Sequence, residues 1–296
     1  MTTTPRVTQR LMMERSLTAL NTGMGRLART QEQLSTGRLI NRPSDSPTGT
    51  NDAMRLRAQM SADTQYSRNA SDGLAALGQA DSTLQSMSDQ VRRARELILQ
   101  GKSTGSAGPE ARTALATELT QIRESLLTMA NTQHMGRSLF GGTSDNPVAY
   151  QPDGSFVGDA NEVDRTVGQG ISVKVNVAGP DAFGTGADNL FNVLTGAIGN
   201  LTGDPTQLGG DLDKLDAVAT TMRTALADVG TRYGRVETAM STLTDANLTS
   251  TAALSEVENV DIAKAVVDLQ MQEVAYQAAL GATARVLQPS LLDFLR

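Results

Sequence analysis

Few stretches carry the residue types that do chemistry, and each sits where the mechanism is missing. Gly23-Met24-Gly25-Arg26-Leu27-Ala28 spells a dinucleotide-binding fingerprint. That loop works between a strand and a helix start, where backbone N–H groups meet a pyrophosphate. Here it lies inside a run of helical heptads, so the match is coincidence. His134 is the only histidine, so a zinc site or a Ser-His-Asp triad would rest on one residue. Beside Gly136, it reads as a plain residue at the C-terminal end of a helix. Asp211, Asp213 and Asp216 lack the Gly and the closing Glu of a calcium loop. A charge cluster in the first turn of a helix explains them. Arg92-Arg93-x-Arg95 has no interleaved aromatics and reads as a solvated helix face. No nucleophile, base and oxyanion donor assemble, so neither an enzyme nor a cofactor or metal site is expected.

What the chain does carry is helices. Only 39% of its 296 residues are hydrophobic and 3% aromatic, with no Trp. Aromatics supply much of the area in compact cores and pockets, so their scarcity favours extended helix-on-helix packing. There is no Cys, which excludes disulfides and thiolate sites and fits either redox compartment. A net charge of −6 argues against general nucleic-acid binding. No apolar run approaches the ~20 residues of a membrane span. The N-terminal stretch lacks an apolar h-region, so a cleaved secretory signal is not expected.

The strongest pattern is at the C-terminal end. Ile262, Val266, Leu269, Tyr276, Leu280 and Leu287 fall on steps of four and three, with Glu273 and Thr283 in the polar slots. Val260, Ala263, Val267, Met271, Val274 and Ala278 form a second series. A helix apolar on two sides must be covered on two sides. Met13, Leu17, Leu20, Met24, Leu27 and Leu34 form a matching heptad seam near the other end, with Gln31 polar in the series. Residues 1–42 carry seven Arg and two acids, a net of +5, against −3 for residues 256–296, with six acids and three bases. Opposite charge favours docking of the two ends, although each exposed pair is worth only ~0.2–1 kcal/mol.

Between these ends the chain reads in order. A helix over 7–38 should stop near Gly37. The stretch from Arg38 to Asp52 holds Pro43, Pro47 and Gly49 and reads as a turn, a candidate hinge. A second helical pattern covers 51–100, and a Gly/Ser loop leads to Pro109 at the first turn of a third helix, expected to reach Met135. Residues 142–187 break the pattern. Gln151-Pro152-Asp153-Gly154 between Val148–Tyr150 and Ser155–Val157 reads as a hairpin, and Ile171, Val173, Val175 and Val177 alternate as a half-buried strand. Helix returns from Asn189 and again over 211–255. The expected fold is mainly α: an elongated helical bundle, a terminal coiled coil from both chain ends, and a small β-rich insertion.

The two ends resemble the flagellin superfamily. Residues 7–50 look like its N-terminal heptad helix and the turn that follows. Tyr66–Leu77 and Asn131–Met135 resemble its next conserved helices. Ser255–Leu295 resembles its C-terminus in the hook–filament junction members, as do the hinge Arg42-Pro43-Ser44-Asp45-Ser46-Pro47 and the end Pro289-Ser290-Leu291-Leu292-Asp293-Phe294-Leu295. The resemblance implies a structural subunit of the bacterial flagellum, exported without a cleaved signal by the flagellar secretion apparatus. Its partners would be copies of itself in a ring, the first hook-associated junction protein, flagellin and an export chaperone, with no nucleic acid and no membrane. It implies a terminal assembly domain (1–45 with 256–296), a helical bundle (46–141 with 188–255) and an insertion (142–187) that projects outward. The assembly interface would be the two seams above with Leu291, Leu292, Phe294 and Leu295, and the hinge Pro43 and Pro47. The alternatives are a flagellin-type filament subunit and a soluble coiled-coil signalling protein.

Overall fold

The computed structural model describes residues 4–103 and 108–287, with side chains from Leu11 to Ala284 within those spans. The chain forms two compact units. One takes both ends of the chain, up to Ser61 and from Leu248; the other is Ala62–Asn247.

Among the described residues seven α-helices carry the fold: α1 (Thr4–Thr36), α2 (Pro47–Lys102), α3 (Pro109–Ala130), α4 (Gly179–Phe183), α5 (Leu190–Thr202), α6 (Leu208–Glu258) and α7 (Ile262–Leu287). Among the described residues none is long and apolar enough to cross a membrane. α1 stops where expected, because Gly37 takes a left-handed φ of 70° that costs a side-chain-bearing residue energy. Pro47 and Pro109 each open a helix, where a missing N–H is no loss.

Two small antiparallel hairpins interrupt the helices. β1 (Gln133–His134) pairs with β2 (Arg137–Ser138). β3 (Asp164–Gly168) pairs with β4 (Ile171–Lys174), with a register shift between Thr166 and Gly168. The turn read at Gln151–Gly154 is present: the Gln151 N–H donates to the Ser155 carbonyl at 2.9 Å, and Tyr150 bridges Phe156. Of the alternating set at 171–177, Val173, Val175 and Val177 are buried, but Ile171 stays 48% exposed and the strand itself ends at Lys174.

Three expectations need correction. The third helix ends at Ala130, not Met135. Asn131 turns its side chain across the chain instead: its Oδ1 accepts from the Ala149 and Tyr150 N–H groups, and its Nδ2 donates to the Tyr150 carbonyl at 2.8 Å. His134 therefore lies on a strand. The segment 142–187 does not stand clear of the helices. Tyr150, Val167, Val173, Val175, Val177 and Phe183 share one core with Leu77 and Leu84 of α2, Leu119 and Leu126 of α3, Phe191 of α5 and Val229 of α6. The reason is aromatic area. Tyr150 and Phe183 lie 5.8 Å apart at a steep angle, Phe183 is 5.0 Å from Phe140, and Tyr150 is 4.7 Å from Phe191. Burial pushes the Tyr150 hydroxyl pKa up, with the Asp181 carboxylate adding to the shift, so the ring stays neutral.

Polar contacts fix the segment on the helices. The buried Asn189 caps α5 by accepting from the Asn192 N–H and reaches back to the Gly154 carbonyl at 2.9 Å. Arg165 of β3 pairs with Asp72 of α2 at 2.9 Å, and Asn69 donates to the Thr166 carbonyl. Gly73 lets β4's continuation approach α2, since a Cβ there would meet Val175 at 2.9 Å.

Candidate assembly surface

The chemistry-bearing stretches do not form a site. Gly23 and Gly25 lie inside α1, with no strand before them. Arg92, Arg93 and Arg95 pair with Asp89, Glu118 and Asp216. The fork of Arg95 holds both carboxylate oxygens of Asp216, at 2.7 and 3.0 Å, and lowers its pKa. Asp211 does sit in the first turn of α6, where its carboxylate accepts from Asn200. Among the described residues no group of His, Cys, Asp or Glu is placed to hold a metal.

Most of the exposed large apolar side chains described are in the terminal unit, where α1 packs on α7. The line of contact on α1 runs through Ser16, Leu20, Gly23, Leu27, Thr30 and Leu34. On α7 it runs through Ala265, Leu269, Gln272, Tyr276, Ala279 and Thr283. Thr30 donates to Gln272 Oε1 at 3.2 Å, and the Tyr276 hydroxyl lies 4.0 Å from Met24 Sδ. A Cβ on Gly23 would stand 3.6 Å from the Tyr276 ring. Small residues bring the two backbones close, and the seam is narrow.

That narrowness divides the residues expected in the seams. Leu20, Leu27, Leu34, Leu269 and Tyr276 are partly buried along the contact. Met13, Leu17, Met24, Ile262, Val266 and Leu280 are 40–62% exposed, and Val267, Met271 and Val274 of the second series 57–66%. Leu287 ends α7; its side chain and Leu291, Leu292, Phe294 and Leu295 lie outside the described residues. Ser16, Gly23 and Thr30 were missed. Their signal was available: with Gly37 they repeat every seven residues, a spacing of small residues rather than of large apolar ones.

The charge argument for docking the two ends fails at the level of contacts. Among the described residues, Arg15, Arg26 and Arg29 of α1 form no ion pair with Asp268 or Glu273 of α7; the terminal unit's ion pairs lie elsewhere, as in Arg42–Glu32 and Arg57–Glu258. Arg15, Arg26, Arg29 and Glu273 stand exposed, while Glu32 and Asp268 are partly buried without pairing across the two helices.

The two helix crossings of this unit are tied to each other. The Leu39 N–H donates to the Glu258 carbonyl at 2.7 Å and the Val260 N–H to the Gly37 carbonyl at 3.0 Å. Glu258, only 8% exposed, is held by Arg57 at 2.8 Å. Asp45 Oδ2 accepts from the N–H groups of Asn41 and Arg42, at 3.2 and 2.8 Å. Ser46 Oγ accepts from the Gly49 N–H and caps α2. Of the expected hinge residues, Pro43 lies exposed in this turn and Pro47 is the first residue of α2.

A long helix pair built from both chain ends, apolar on its outer faces and joined to a helical core, is matched by known families. Residues 8–145 match the bacterial flagellin N-terminal helical region and residues 212–295 the bacterial flagellin C-terminal helical region. The chain belongs to the flagellin family, and it is a structural component of the bacterial flagellum. Within that family, it is 25% identical to flagellar hook-associated protein 3 of Escherichia coli K12, over 94% of this chain and 95% of that one. It is also 25% identical to a flagellin of Bacillus subtilis, over 97% of this chain and all of the other. The fold matches hook-associated protein-3 of Legionella pneumophila, at a TM-score of 0.62 and 15% identity over 69% of this chain and 98% of that one.

Proposed function

We propose that the chain is the junction subunit that joins the hook to the filament, and that it assembles through the outer faces of α1 and α7. The observation that carries this reading is the second apolar face of α7. Val267, Met271 and Val274 are left 57–66% exposed by the chain's own α1. A row of this kind on a soluble chain marks an interaction site. Neighbouring copies would cover it in a ring, with the first hook-associated junction protein on one side and flagellin on the other. The outward charges of opposite sign on the two ends would steer those contacts. Travel through the flagellar secretion apparatus, with an export chaperone covering the C-terminal face, completes the reading. The likeness to hook-associated protein 3 along nearly the whole of both chains supports it.

A second reading, a filament subunit, is favoured by the equal identity to the Bacillus subtilis flagellin. Immuno-electron microscopy of whole cells separates the two. A single band of label at the distal end of the hook is expected for the junction subunit. Label along the whole filament would replace it with the filament reading.

A further inference from the structure

We infer that the central unit carries a second docking surface for another copy of this chain, in which Met135 of one copy enters a groove between the β3–β4 hairpin and α6 of the next. The inference rests on the reading of this chain as a self-assembling subunit and adds a contact that uses neither α1 nor α7.

The groove has a volume of about 750 Å³. One wall is the hairpin, with Val167, Gly168 and the exposed Ile171; the floor is α6, where Gly234, Thr238 and Ala239 keep it shallow and open. Its one charged residue is Arg235, which has no ion-pair partner among the described residues. The β1–β2 hairpin supplies none of the lining.

The knob is the tip of the β1–β2 hairpin. Met135 is 83% exposed, the most exposed large apolar side chain described, and it holds a φ of 52°. It is the only residue other than glycine with positive φ among those described. Asn or Gly fits that conformation with little strain, whereas Met there is strained and wets an apolar side chain. A local outlier kept against two costs points to a role, and Met is a side chain that adapts to irregular apolar surfaces. Beside it, Arg137 and Asp145 stand 3.4 Å apart, with the Asp145 side chain 91% exposed. That carboxylate is free enough to be shared with a second cation, which matches the unpaired Arg235 in the groove.

The occupant is therefore a second copy. A knob and a groove at different places on one unit make a head-to-tail contact, the kind that closes into rings or continues as a helix. An isologous dimer would instead place knob against knob.

The chain has no cysteine, so introduced thiols report only on themselves. Chains carrying Met135→Cys alone and Thr238→Cys alone would be co-expressed in motile cells and their flagella treated with a short bismaleimide. Leu17→Cys with Met271→Cys serves as the terminal-helix control. The expected result is a cross-linked dimer that contains one chain of each kind, and little product from either variant alone. Loss of that dimer while the terminal pair still cross-links would overturn this inference and leave the junction reading intact. Equal cross-linking of Met135→Cys chains with each other would also overturn it, as would an adduct of Thr238→Cys with a different protein only. Met135→Asn supplies a second test. It should fold at least as stably as the natural chain and reduce filament retention under shear several-fold; unchanged retention would count against the contact.

Discussion

In the unit from Ala62 to Asn247, Leu77, Leu84, Met87 and Leu97 of α2 are at most 1% exposed. In the terminal unit, Val267, Met271 and Val274 of α7 are more than half exposed. Both sets lie on long helices with similar seams, so periodicity does not separate them. The difference is what covers the helix. The central unit adds α3, α4, α5, most of α6 and the β hairpins, and four aromatic rings, Phe140, Tyr150, Phe183 and Phe191, lie fully buried in it. In the terminal unit α1 packs on α7, with only the first turns of α2 and the last of α6 beside them, and a helix covered along one line keeps its other face exposed. One unit is closed by its own chain, while the other is left for neighbours to close.

The sharpest break in that comparison comes from removing cover where the chain supplies it. Replacing residues 145–184 by a short Gly/Ser linker deletes Tyr150, Val167, Val173, Val175, Val177 and Phe183 from the core. Each large core side chain is worth ~2–5 kcal/mol on truncation, so the sum exceeds the ~5–15 kcal/mol stability of a whole domain. Helical circular dichroism of the variant should collapse. A cooperative transition near that of the natural chain would show that the helices close without the segment.

The next effect is smaller and belongs to the terminal unit. Asp45→Ala removes the acceptor for the Asn41 and Arg42 N–H groups. Losing a capping-type carboxylate costs ~0.5–2 kcal/mol. Amide exchange should speed up at residues 39–46 and leave α5 unchanged. Equal exchange at Asn41 and Arg42 in both proteins would mean that the turn is held by its prolines alone.

These two sites also show how much could be read from the sequence. The helices were legible because caps and breakers are local: Gly37, Pro109 and Asn189 each act within a few residues, whereas Pro47, read as part of the turn, opens α2 four residues before the expected start. The ends of the chain were legible as apolar faces, but not which face is taken. Leu20 and Leu27 turn to α7 while Met24 lies at the edge of the contact, its Sδ near the Tyr276 hydroxyl and the side chain 59% exposed, because the close approach is made at Ser16, Gly23 and Thr30. β3 was invisible, since Asp164-Arg165-Thr166-Val167-Gly168 has one apolar residue and so no alternation to show it, although β4 follows after only Gln169-Gly170. The end of α3 is decided by Asn131, whose partners lie about twenty residues further on.

A weaker test uses pH. Asp159 accepts from the Thr143 N–H and hydroxyl and from the Asn161 N–H, and these bonds hold its pKa below the ordinary carboxylate range. The folded-state value lies below the unfolded one, so its contribution is present above the unfolded pKa of ~3.9 and fades as pH falls through the lower folded value. Asp159→Asn should flatten the acid limb of the unfolding curve below about pH 4: the variant unfolds more easily than the natural chain at neutral pH, and the two converge as acid protonates Asp159. Parallel acid limbs in the two proteins would remove Asp159 from the account.

The smallest expected effect on the free subunit is the one that matters most to the comparison. Met271 is 65% exposed on α7, whereas Leu269, two residues earlier, is partly buried against α1. Met271→Asp places a carboxylate in water, so thermal unfolding should shift by no more than the ~0.5 kcal/mol usual for surface changes. In the assembled flagellum the same carboxylate would be buried without a partner, at a cost of several kcal/mol. Filament attachment should therefore fail while the purified chain unfolds as before. Leu269→Asp is the control: it disturbs the seam that the chain itself closes, so amide protection along α1 and α7 should fall in the monomer as well. If both variants lowered monomer protection equally, α7 would already be covered on two sides within one chain. If Met271→Asp left filaments attached under shear, the outer face of α7 would not be the assembly surface.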